Sequence, residues 1–170
     1  MAERFSTSRH EAEQDKLMQL VGFTIGKELF GVDILMVQEI IRAAPITPVP
    51  NSPDFVEGVI NLRGNILPVI DLRKRLNLFT GSVSQKDTWI LILDIQGKIT
   101  GFIVDSVTEV LKIQEETIEP PPDIITAGLE SQYLRGVCEI GQQLLIMIDF
   151  QKILLQEELH TLKAIDQVEE

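Results

Sequence analysis

A chain of 170 residues with 44% hydrophobic and 24% charged side chains has the make-up of a folded protein, long enough for one core or for two small cores sharing an interface. Its 26 acidic against 15 basic residues give a net charge of -11, which repels phosphate backbones and anionic membranes and leaves proteins as the natural partners. The single cysteine, Cys138, excludes an internal disulfide and a multi-cysteine metal site, in keeping with a reducing compartment.

Residues 1–16 carry Glu3, Arg4, Arg9, Glu11, Glu13, Asp15 and Lys16 without an apolar run. They are expected to be a mobile tail and not a secretory signal, which places the chain in the cytoplasm. Short apolar runs bounded by turn residues follow, at about Leu20–Ile25, Glu28–Val32, Val37–Ile41, Val56–Leu62 and Asn65–Ile70. A second series covers Trp89–Ile95, Lys98–Val104, Val107–Ile113, Leu134–Ile140 and Gln143–Ile148. Gly26-Lys27, Arg63-Gly64, Gln96-Gly97 and Gly141-Gln142 supply hairpin turns. The longest apolar stretches, Ile66–Ile70 and Leu144–Ile148, fall far short of the roughly 20 residues a membrane helix needs.

The two series match one another. From Gly58 to Leu76 the chain aligns with Gly136 to Leu154 at a constant offset of 78, and from Ile25 to Ile41 it aligns with Ile95 to Leu111 at an offset of 70. The change falls where Pro45, Pro48, Pro50 and Pro53 answer Pro120, Pro121 and Pro122, so the second copy has a loop eight residues longer. The pattern is a duplicated unit of antiparallel strands, as a barrel or a sandwich. One domain over 17–160 is expected, with a first barrel at about 20–80 and a second at about 86–150. Asp71 and Asp149 each close a strand and read as helix N-caps. After Asp149, the apolar residues Phe150, Ile153, Leu154, Leu159 and Leu162 recur at helical spacing, which predicts a terminal helix over about 150–162 and a frayed acidic tail over 163–170.

The run Val37-Gln38-Glu39-Ile40-Ile41, the prolines, and then Phe55 through Gly58, Asn61-Leu62-Arg63-Gly64 and Pro68-Val69-Ile70-Asp71-Leu72-Arg73 resemble the chemotaxis coupling protein family, CheW. So do Gly101-Phe102-Ile103-Val104-Asp105-Ser106-Val107 and Tyr133-Leu134-Arg135-Gly136. The match runs in order from about Leu20 to Leu155. It departs after Ile40, where Ile41-Arg42-Ala43-Ala44 stands in place of the family's Arg followed directly by Gly. The resemblance implies an all-β fold of two SH3-like five-stranded antiparallel barrels side by side. It also implies a cytoplasmic adaptor, not an enzyme, that joins methyl-accepting chemoreceptors to the histidine kinase CheA. Loops at the barrel ends would meet the kinase's own similar barrels.

The chemistry-bearing residues agree with that class. Asp71, Asp94, Asp105 and Asp149 end or interrupt strands at repeat positions, which favours caps and turns over a catalytic pair. His10 and His160 lie near the chain ends, where no oriented base is held. Cys138 sits beside Val137 in an apolar strand, as an inert core thiol. No dinucleotide or phosphate-loop signature occurs, and no cofactor or metal is implied. The rival reading is a small β-barrel outside chemotaxis that binds a ligand or an oligonucleotide; 5% aromatic residues and the acidic balance leave it without stacking platforms or a phosphate groove. A groove between two barrels suits an amphipathic partner helix, with Val37, Ile40 and Val107 as receptor-facing candidates, as the resemblance implies. Arg63 at a hairpin tip presents a fork of donors suited to a carboxylate, and Glu39 is the expected partner. The second repeat keeps Glu109 opposite Glu39 but has Gly141 for Arg63, so one hairpin alone carries the charge.

Overall fold

Strands form where the apolar runs end in turn residues. The computed structural model describes residues 17–78, 87–120 and 133–154. It contains β1 (Leu17–Ile25), β2 (Glu28–Asp33), β3 (Val37–Arg42), β4 (Val56–Leu62), β5 (Asn65–Asp71), β6 (Trp89–Ile95), β7 (Lys98–Val104), β8 (Ser106–Gln114), β9 (Leu134–Ile140) and β10 (Gln143–Ile148). Two single-turn helices, α1 (Leu72–Arg75) and α2 (Phe150–Leu154), follow β5 and β10. The remainder of the expected terminal helix, both tails and the two histidines lie outside the described residues. Among those described, no helix is long and apolar enough to cross a membrane.

The strands make two five-stranded sheets, ordered β8-β1-β2-β10-β9 and β3-β6-β7-β5-β4, hereafter sheets A and B. The expected division of the chain into a barrel over 20–80 and another over 86–150 does not describe them. Each sheet takes strands from both repeats. The connections give the reason. Asp105 alone separates β7 from β8, fewer residues than a hairpin turn needs, so β8 cannot fold back on β7 and pairs with β1 instead. The helical turn Ile34–Met36 likewise carries β3 past β2 to pair with β6.

The exchange also introduces parallel pairs into the expected antiparallel arrangement. It sets β2 parallel to β10 and β7 parallel to β5, pairs that a tight turn cannot join. Neither ladder closes on itself. The chain beyond β3 instead reaches the far edge strand β4 through a bridge of two 2.9 Å bonds between Thr47 and Val59, and the chain beyond β8 reaches β9 through 2.8 Å bonds between Glu119 and Val137. Both crossings need a glycine beneath them. A Cβ on Gly58 would lie 2.1 Å from the Thr47 carbonyl oxygen, and one on Gly136 would lie 2.5 Å from Ile118 Cγ2.

Most central strands are apolar on both faces because each sheet is covered on both. In β6, Leu91 and Leu93 join a large core shared by the two sheets, while Ile90 and Ile92 join a smaller core belonging to sheet B. In β10, Ile146 and Ile148 face the shared core, and Leu145 and Met147 face the smaller core of sheet A, which also takes Cys138. Each such buried side chain stabilises by about 1.5–3 kcal/mol relative to exposure. Phe150 opens α2 and packs edge-on against Phe102 at 4.9 Å between ring centres, which ties that helix to the shared core.

Candidate functional site

Arg63 is placed by its turn. It adopts a φ of 55° and Gly64 one of 88°, and the Asn61 carboxamide oxygen accepts the Gly64 amide at 2.9 Å, closing the β4–β5 hairpin. The guanidinium leaves the tip and donates from Nη2 to Glu39 Oε1 at 2.6 Å. Glu39 faces this tip because β3 carries a bulge: Val37 pairs with Leu93, but Glu39 already pairs with Ile92. The extra residue, Gln38, shifts the alternation by one. Val37 and Ile40 therefore pack against the shared core, while Glu39 turns to the opposite face.

The bulge recurs in β8, where Val110 pairs with Val21 and Val107 with Phe23. Val107 packs against the shared core from sheet A as its repeat partner Val37 does from sheet B. The structure thus separates the expected residues into two groups. Glu39 and Arg63 meet on the outer lip of sheet B; Val37, Ile40 and Val107 are half-buried at the seam between the sheets. In the second copy Glu109 is exposed and Gly141 holds the hairpin position.

Two exposed apolar spots escaped the sequence reading. Ile66, 53% exposed, lies beside Arg63 along a cleft that also takes in Leu62, Pro68 and Ile99. Leu35 is 88% exposed and shares a second cleft with Leu17, Met18 and Ile34. The available signal was three consecutive apolar residues, Ile34-Leu35-Met36, in one helical turn capped by Asp33, which accepts the Leu35 amide at 3.0 Å. A single turn cannot bury all of its sides.

The aspartates act as supports. Asp94 accepts the Gly97 amide at 2.9 Å and Asp149 the Lys152 amide at 3.2 Å. Asp71 caps α1 through the Arg73 amide and binds the Arg73 side chain with both carboxylate oxygens at 2.9 Å. Asp105 lies 3.4 Å from the same guanidinium and accepts the Gly26 amide of the β1–β2 turn at 2.6 Å, so Arg73 joins sheet B to sheet A. The hydrogen bonds that Arg73 donates to Asp71 raise the Arg73 pKa against the opposing effect of burial. Among the described residues no group of three or more acidic, histidine or cysteine side chains is placed to hold a metal.

A family model for the CheW-like domain matches residues 19–158. The chain belongs to the CheW family. It is 36% identical to the chemotaxis protein CheW of Treponema pallidum over 89% of this chain and 90% of that protein. It is 39% identical to the CheW of Klebsiella aerogenes over 81% of each. The crystal structure of the scaffolding protein TtCheW from Thermoanaerobacter tengcongensis superposes with a TM-score of 0.75 at 38% identity, covering 83% of this chain and 90% of that one. CheW similarity therefore spans both sheets, the Glu39–Arg63 lip and the seam.

Proposed function

We propose that the chain is a chemotaxis adaptor that couples membrane chemoreceptors to the histidine kinase CheA, binding each through a separate surface and carrying out no chemistry itself. The supporting observation is CheW-family membership across residues 19–158, which takes in all ten strands but for the first two residues of β1. Each sheet, with the bridge that ties its two edges, is an SH3-like barrel in this reading. The receptor-facing surface comprises the Glu39–Arg63 pair and the seam residues Val37, Ile40 and Val107. The apolar seam positions suit one face of an amphipathic receptor helix, and the charged lip sets its register.

The reading is tested by reconstitution. Receptor cytoplasmic fragments in vesicles and CheA are mixed with and without the purified chain, and kinase autophosphorylation is followed. Kinase stimulation that requires the chain, with all three components co-sedimenting, is the expected result. Failure to retain either partner would overturn it.

A further inference from the structure

Arg75, in the last position of α1, lies between two rings that are the same residue of the two repeats. Phe55 and Tyr133 are related by the offset of 78, and the Arg75 guanidinium carbon is 4.9 Å from the first ring centre and 4.4 Å from the second. Arg75 Nη2 also donates to the Tyr133 hydroxyl. The equivalence extends to the backbone: the Phe55 carbonyl accepts the Asp71 amide at 2.7 Å, and the Tyr133 carbonyl accepts the Asp149 amide at 2.8 Å. Phe55 directly precedes β4 on the edge of sheet B, and Tyr133 directly precedes β9 on the edge of sheet A.

The repeat partner of Arg75 is Ile153, which is fully buried in the shared core. The duplication has therefore kept two equivalent rings and placed one cation between them. A guanidinium is attracted to the negative face of each ring, and its hydrogen bond to the hydroxyl fixes its plane.

We propose that Arg75 is a latch coupling the two repeat-equivalent strand entries, so that the Phe55 end of sheet B and the Tyr133 end of sheet A open together. A disturbance at one sheet's edge is then felt at the other. The reporters are the Asp71 and Asp149 amides, each bonded to one of the two ring-bearing residues.

Native-state hydrogen exchange on the full chain tests this. In Arg75→Leu, exchange should rise about tenfold at both reporters while the amides of β6 and β10 keep their protection. Tyr133→Phe keeps the ring and removes the acceptor, so both reporters should rise by a smaller factor. Arg75→Lys retains the charge and should restore part of the protection. A rise at Asp71 with none at Asp149 would reduce Arg75 to a support of its own helix and overturn the latch. A uniform rise in every strand for both the leucine and the phenylalanine variants would overturn it equally.

Discussion

Glu39 accepts its 2.6 Å hydrogen bond from an arginine 24 positions further along the chain, even though the Arg63 side chain is 75% exposed. A pair so accessible contributes about 0.2–1 kcal/mol to stability, too little to hold the fold. Its role is therefore sought in binding. Arg63→Glu should weaken receptor binding and leave the melting temperature within a few degrees of wild type and CheA binding intact. Adding Glu39→Arg restores opposite charges and should recover part of the loss. Pull-downs with receptor fragments and with CheA, beside melting curves, check it; equal loss of both partners would dissociate the pair from receptor recognition.

Gly58 holds a φ of 146° directly beneath the Thr47 carbonyl. Gly58→Ala should part the bridge that ties the edges of sheet B and lower stability by about 1–3 kcal/mol. Gly64→Ala, which meets nothing within 4 Å, pays only for its positive φ of 88°, about 1 kcal/mol. Urea denaturation of the two variants should rank them in that order, and the Val59 amide should lose exchange protection in the first alone.

Arg73 is 6% exposed at its side chain and faces Asp71 at 2% and Asp105 at 12%. Arg73→Met leaves the buried Asp71 carboxylate and the partly buried Asp105 carboxylate without this cation and should cost about 3–5 kcal/mol. The repeat-equivalent Gln151 is exposed, so Gln151→Met should stay within about 0.5 kcal/mol of wild type. Equilibrium unfolding of the two variants measures the contrast, and similar small losses in both would show that the buried pair is dispensable.

Lys74 donates to Glu57 at 2.7 Å, and this bond raises its pKa above the ordinary 10.5. The folded state then holds the proton more tightly than the unfolded chain. The stabilisation is complete below the unfolded value and is lost as pH rises through the higher folded value. The melting-temperature gap between wild type and Lys74→Met should accordingly stay level from about pH 7 to 9 and narrow above about pH 10.5. A gap that widens with alkalinity would contradict the assignment.

The positions of the strands, the hairpin turns, the caps at Asp71 and Asp149 and the pairing of Arg63 with Glu39 were all legible in the sequence. Strand ends, turns and caps are written within a few residues, by apolar runs, glycine-bearing dipeptides and short polar side chains, and physics at that range does not depend on the rest of the chain. The Arg63 pairing was legible for a different reason: a guanidinium at a hairpin tip presents a fork of donors that suits a carboxylate, and Glu39 offered one. Sheet membership was not legible, because duplication made the partners nearly interchangeable. β1 and β6 are repeat equivalents, so β3 and β8 each present an apolar edge that either would satisfy, and burial has no direction with which to choose. The single residue Asp105 between β7 and β8, and the turn at Ile34–Met36, decide it by forbidding the local return. From that exchange follow the parallel pairs, the burial of strands on both faces and the meeting of Arg73 with Asp105. The placing of Arg75 between Phe55 and Tyr133 is likewise a product of how the two copies interlock.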